Sequence, residues 1–217
     1  MRVLTWNLYH GRSRPPAGRS LLNDFAGALA GWEWDVALLQ EVPPWWPPWL
    51  ATAAGASART QLTSRNFLLP LRRALSARNP DLLRSNGGGA NAILVRGAAV
   101  LEHRSVRLRW LPEGRWAHGV RLDGAGWVVN VHSHNHPAEL ATADCEKAIR
   151  AARDWAHGEP LVFGGDVNLK KPAFAGLTRV AGNHVDHIFT EGRAGTDAKV
   201  IERGTLSDHP PVAVTIA

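Results

Sequence analysis

Pro160-Leu161-Val162-Phe163-Gly164-Gly165-Asp166-Val167-Asn168-Leu169 is the stretch from which the fold can be read. Leu161 to Phe163 is a short apolar run that ends in glycine, the pattern of a core strand arriving at the edge of its sheet. Two glycines let the backbone turn sharply and leave room for a ligand near the main chain. Asp166 and Asn168 are two apart, so both point to one side if the strand geometry persists. A carboxylate beside a neutral amide suits a hard cation or a phosphoryl group. The same four residues also fit an ordinary turn, so the reading depends on the rest of the chain.

Outward from this stretch the same arrangement recurs: apolar runs give way to polar residues where they end. Asn7 follows Val3-Leu4-Thr5-Trp6, Glu41 follows Val36 to Gln40, and His132 follows Trp127 to Val131. Asp186 lies in Val185-Asp186-His187-Ile188-Phe189, and Asp208-His209 precedes Pro210. Strands are also expected over Asn91–Arg96, Ala98–Leu108, Arg115–Leu122, Gly126–His132, His184–Thr190, Lys199–Arg203 and Pro211–Ile216. Leu22, Phe25, Ala26 and Leu29 share a helical face after Ser20 as N-cap, and Ala138–His157 is a second helix stopped by Gly158. Many antiparallel strands with few helices indicate an α+β or layered α/β sandwich.

A length of 217 residues, with no repeat or dividing linker, predicts a single domain spanning residues 1–217. No apolar run approaches membrane-spanning length. A strand-like segment directly after Met1 leaves no room for a secretory signal, and the lone Cys145 allows no internal disulfide. Both points favour the cytoplasm. A net charge of +6 favours an anionic partner such as nucleic acid, although arginine dominates the basic residues throughout the chain.

Thr5-Trp6-Asn7, Leu39-Gln40-Glu41, Asn130-Val131-His132, Gly165-Asp166-Val167-Asn168, Val185-Asp186-His187-Ile188 and Leu206-Ser207-Asp208-His209 form an ordered series. The series resembles the endonuclease/exonuclease/phosphatase family, the DNase I-like fold, from residue 3 to residue 214. The resemblance implies a four-layer α/β sandwich of two packed mixed sheets flanked by helices, with one metal-dependent phosphoesterase site at the sheet edges. It implies Glu41 as principal ligand of Mg²⁺ or Mn²⁺, helped by Asn7 and Asp208. Asp166 and Asn168 match the pair that positions water and phosphate, and His132 matches a histidine that binds or protonates a phosphate oxygen. Asp186 matches the carboxylate that orients His209, and either Asp166 or His209 could take the proton of water. Family nucleases often carry a tyrosine before the strand matched here by Val131-His132. The only tyrosine is Tyr9, beside Asn7, so that contact is expected to be missing or replaced.

Three further stretches carry expectations. His132-Ser133-His134-Asn135-His136 has the alternation of a zinc box, but His134 and His136 are read as rim residues near the phosphate. Trp45, Trp46 and Trp49 among prolines are a base-stacking platform, a membrane wedge or packing that caps the Glu41 strand, with packing preferred. Arg59, Arg65, Arg72, Arg73, Arg78 and Arg84 either track a phosphate backbone or form the wet face of a helix carrying Leu68, Leu69, Leu71 and Leu75. Ser85 to Gly89 reads as a mobile loop near the site. Together these readings predict a monomeric metal-dependent phosphodiesterase, with nucleic acid as substrate ahead of a small or lipid-derived phosphate ester.

Overall fold

Strands buried on both faces show up in sequence as near-continuous apolar runs, and here those runs form the middles of two sheets. The computed structural model describes residues 1–63, 66–82, 89–111 and 113–217. In chain order the first strands are β1 (Arg2–Asn7), β2 (Val36–Val42), β3 (Ser57–Leu62), β4 (Ala90–Val95), β5 (Val100–Arg109) and β6 (Arg115–Leu122). They are followed by β7 (Gly126–His132), β8 (Leu161–Asp166), β9 (Thr178–Asn183), β10 (Asp186–Glu191), β11 (Gly195–Val200) and β12 (Val212–Ile216). The helices are α1 (Leu22–Gly31), α2 (Pro47–Ala54), α3 (Leu69–Arg78) and α4 (Ala138–Ala156).

One sheet runs β11-β12-β1-β2-β4-β3 and the other β5-β6-β7-β8-β10-β9. Each is mixed, with one parallel pair at its centre: β1 with β2, and β7 with β8. Side-chain alternation sends Val3, Val36, Leu38 and Ile93 inward against Val120, Val128, Val162 and Ile188 of the second sheet. The opposite faces pack on helices. Leu4, Trp6 and Leu39 meet Phe25, Leu29 and Leu50, while Val129, Val131 and Phe163 meet Cys145, Ala148 and Ala152. The result is the expected four-layer sandwich, two mixed six-stranded sheets flanked by helices. No described helix is long and apolar enough to cross a membrane.

Several local expectations are corrected. The glycine pair does not make a turn: both residues lie inside β8. Gly165 has φ +134°, and a Cβ there would sit 2.0 Å from the Val131 carbonyl oxygen. A Cβ on Gly164 would meet the His187 carbonyl at 3.0 Å and Leu38 at 3.1 Å. These glycines therefore serve close packing between β7, β8, β10 and the facing sheet. The strand geometry also fails to persist beyond Asp166, because Asn168 is left-handed at φ +52°. Ser20 is not the cap of α1, which follows Leu21 without a side-chain cap. The strand expected over Lys199–Arg203 is displaced to Gly195–Val200, and β3, β9 and α2 form where the sequence pattern predicts no element. Arg72 and Arg73 do lie on a helix, but Leu68, Leu71 and Leu75 are also exposed. Arg65, Arg84 and the Ser85–Gly88 part of the expected loop lie outside the described residues.

Candidate active site

Both parallel pairs end at the same edge of the sandwich. Asn7 closes β1, and Glu41 lies one residue short of the end of β2. His132 ends β7 and Asp166 ends β8, and the two are paired in register. Asp186 opens the antiparallel β10 directly opposite Asp166. Asp208 and His209 arrive from the loop before β12, where Trp6 Nε1 donates to the His209 carbonyl at 2.9 Å. All the residues expected at the site are thus brought to one edge, from both sheets.

Asp166 is the buried centre of the group. Asn7 Nδ2 donates to its Oδ2 at 2.9 Å, which ties the two sheets together across the site. Its Oδ1 accepts from the Asn168 main-chain N–H at 3.1 Å. That turn, rather than strand alternation, brings Asn168 beside the site, and the Asn168 amide donates to the Ser133 carbonyl at 3.1 Å. Burial pushes the Asp166 carboxyl up, with added push from the charges of Asp186 and Glu41, to about 7.

Asp186 and His209 form the expected pair, with Oδ2 and Nδ1 2.7 Å apart. Burial alone lowers the His209 pKa, but the Asp186 hydrogen bond and the charges of Asp186, Asp166 and Asp208 outweigh it and raise it to about 9. Burial also raises Asp186, against the pull of His209. The shared proton belongs on the imidazole, because three carboxylates surround that ring. Asp166, Asp186 and His209 place one ligand atom each within 4.8 Å of one another, the group of this kind found among the described residues.

Glu41 owes its position to a bulge. The β2–β4 register shifts between Leu39 and Val42, and Glu41 adopts φ +50°, costly for a residue with a Cβ. A buried amide pair braces that bulge from the facing sheet. Gln40 Nε2 donates to Asn130 Oδ1 at 2.7 Å, and Asn130 Nδ2 donates to the carbonyls of Leu39 at 2.9 Å and Ala92 at 3.0 Å. The Glu41 carboxylate lies 3.2 Å from His10 Nε2 and 3.8 Å from His132 Nε2.

His132, matched to a histidine that binds or protonates a phosphate oxygen, has its Nε2 engaged by an arginine. Arg115 Nη1 stands 2.8 Å from His132 Nε2, so that nitrogen accepts and the ring proton belongs on Nδ1. Burial and then the positive charges of Arg115, His209 and His10 hold the ring well below its usual pKa. The cation at this point is Arg115, which sequence reasoning missed together with His10 and Arg14. Arg14 reaches Asp208 Oδ2 at 3.1 Å and leans over the Tyr9 ring, its guanidinium carbon 5.2 Å from the centroid. Tyr9 is therefore at the margin of the site through its arginines. An arginine opening the strand before His132 was the only sequence signal available for Arg115.

The zinc box does not form. His132, His134 and His136 make no common cluster among the described residues. His134 is buried, with its main-chain N–H donating to Asp144 Oδ2 at 3.1 Å, while His136 is exposed. The tryptophans divide: Trp46 packs against Phe25, centroids 5.5 Å apart, and Trp49 is exposed on α2.

The donor set fits a hard divalent cation. Asp186 Oδ1 and Asp208 Oδ1 are buried without a hydrogen-bond partner, and Asp166 is strained by like charge. Oxygen ligands and unrelieved negative charge are what Mg²⁺ or Mn²⁺ satisfies. Among the described residues the cluster whose ligand atoms converge is Asp166, Asp186 and His209; the resemblance assigns the ion to Glu41, Asp208 and Asn7, whose amide oxygen also accepts from the Tyr9 main-chain N–H at 2.9 Å.

Similar architectures occur among solved structures. The Bacteroides thetaiotaomicron VPI-5482 mannosyl-6-phosphatase Bt3783 is 14% identical with TM-score 0.73, covering 100% of this chain and 99% of that one. The human Nocturnin catalytic domain with bound sulfate is 14% identical with TM-score 0.72, covering 100% and 94%. A humanized D. rerio TDP2 is 16% identical with TM-score 0.67, covering 100% and 98%. At these identities the likeness shows the fold. No curated protein matches the sequence. The model of the Endonuclease/Exonuclease/phosphatase family matches residues 4–209, so the chain belongs to that family, whose members are hydrolases of phosphoesters and generally depend on a divalent metal.

Proposed function

We propose that this chain, as one domain, is a divalent-metal-dependent phosphodiesterase that cleaves nucleic acid. The observation that carries this reading is the convergence of Asn7, Glu41, His132, Asp166, Asn168, Asp186, Asp208 and His209 on one sandwich edge, with Asp166 buried at its centre. A cation held by Glu41, Asp208 and Asn7 would neutralise charge on the phosphoryl oxygens. Asp166, raised to about 7, is suited to take the proton of the attacking water at neutral pH. As the new P–O bond forms, the ester P–O bond opposite breaks. His209, kept protonated by Asp186, and Arg115, braced by His132, present N–H donors where charge develops. Asn168 stands beside Asp166 to orient the phosphate.

Nucleic acid is favoured because the net charge is +6 and because Arg72 and Arg73 stand on α3 without carboxylate partners among the described residues. A second reading, hydrolysis of a small phosphate ester, is supported by the full-length likeness to a mannosyl-6-phosphatase. The deciding experiment incubates the purified protein with plasmid, single-stranded DNA, RNA, a hexose 6-phosphate and bis-p-nitrophenyl phosphate, with EDTA, Mg²⁺ or Mn²⁺. Metal-dependent cleavage of polynucleotide is expected. Turnover of the sugar phosphate with DNA and RNA left intact would move the assignment to the second reading, and full activity in EDTA would end the metal assignment.

A further inference from the structure

The hairpin of β5 and β6 carries a stack that the chemistry above does not use. The Arg107 guanidinium lies over the Trp110 ring, 3.3 Å from its centroid, and also over the Trp116 ring at 4.5 Å. Arg107 and Trp116 are direct cross-strand partners. Trp110 is 76% exposed at the hairpin tip and the next residue, Leu111, is 78% exposed. The indole is thus held by the cation on one face and open to solvent on the other.

The stack begins beside the catalytic edge. Ala117 pairs with Val131, the residue before His132, so the start of β6 lies beside the end of β7. Arg115, the residue before Trp116, makes the 2.8 Å contact with His132. From His132 the hairpin therefore leads outward through Trp116 and Arg107 to Trp110.

The electrostatics single out Arg107. On the same hairpin Arg104 pairs with Glu102, Arg109 with Asp144, Arg115 with Glu113 and Arg121 with Glu159. Among the described residues no carboxylate pairs with Arg107, and its Nη1 is buried without an acceptor. A rigid, solvent-facing π surface with an uncompensated cation beneath it matches one kind of group well: a planar base attached to a polyanion. A base inside a duplex has both faces covered by its neighbours, so the base must be unpaired.

We propose that Trp110 is the stacking platform of a subsite for an unpaired nucleobase flanking the scissile phosphate, which makes single-stranded nucleic acid the substrate class. This rests on the nucleic-acid reading above and narrows it. A lipid surface is the competing occupant of the Trp110-Leu111 tip, but one indole and one leucine offer little area, and the half-buried cation behind them is better matched to a strand than to an acyl layer.

The test measures fluorescence anisotropy of a fluorescein-labelled single-stranded 12-mer in EDTA, with the wild type, Trp110→Ala and Trp110→Phe. Loss of one stacked base should weaken binding by Trp110→Ala about 5- to 150-fold, and Trp110→Phe should recover most of it. Trp110 is exposed, so folding should be intact, which a thermal melt confirms. Equal single-strand binding by the wild type and Trp110→Ala overturns the subsite even if the wild type cleaves DNA in Mg²⁺. A wild type that neither binds nor cleaves any strand overturns the nucleic-acid reading and the subsite with it. Trp110→Ala that loses sedimentation with phosphatidylglycerol vesicles but keeps full oligonucleotide affinity reassigns the tip to a membrane surface.

Discussion

Replacing Asp186 by Asn isolates what the buried carboxylate does for His209. The two side chains are nearly isosteric, so the 2.7 Å contact can survive as a neutral hydrogen bond while the charge is lost. In the intact protein that charge, with those of Asp166 and Asp208, overcomes burial and raises His209 to about 9. Without it, burial should bring the ring to its unperturbed value near 6.5 or below, a change worth about 3 kcal/mol in the preference for the imidazolium. The sign for stability follows from linkage. His209 titrates higher folded than unfolded, so its contribution is complete below about pH 6.5 and is lost as the pH rises through about 9. The advantage of the wild type over Asp186→Asn should therefore shrink across that window. The assay is an NMR titration of the His209 ring in EDTA, assigned with His209→Gln, beside urea melts at pH 6 and pH 9. A His209 pKa that stays near 9 in Asp186→Asn would refute the reasoning, because the other carboxylates would then suffice.

Three shorter predictions go with it. Asp166→Asn loses one of the two acceptor oxygens that Asn7 and Asn168 use, so only the pH dependence is diagnostic: the stability of the metal-free variant relative to the wild type should rise from pH 3 to pH 8, because a folded carboxyl raised to about 7 loses stability as pH climbs from its unfolded value; a difference that is flat or moves the other way in denaturant melts would contradict this. Glu41→Gln should weaken Mg²⁺ binding, read by calorimetry, and lower turnover sharply while leaving the melting temperature nearly unchanged. Gly165→Ala should cost at least about 3 kcal/mol in a denaturant melt, since its Cβ would lie 2.0 Å from a backbone oxygen at φ +134°.

Much of this protein was determined by sequence alone. Strands buried on both faces must be apolar along their length, so Val3–Trp6, Val36–Leu39, Trp127–Val131 and Leu161–Phe163 announced themselves, and with them the polar residues at their ends. The edge strands β3 and β11 gave no such signal, being mostly polar because much of each faces solvent. Only the tertiary structure decided how the strand ends act on one another. Asp166 and Asp186 are twenty residues apart and meet through an antiparallel register, and Asn7 reaches Asp166 from the other sheet. The neutral His132 behind Arg115, the cationic His209 and the brace of Gln40 and Asn130 on the Glu41 bulge depend on such long-range contacts. Local pattern fixes which residues arrive at the edge, because burial is written in each strand. Which of them carries a proton depends on the burial and neighbouring charges that appear only when the two sheets close on each other.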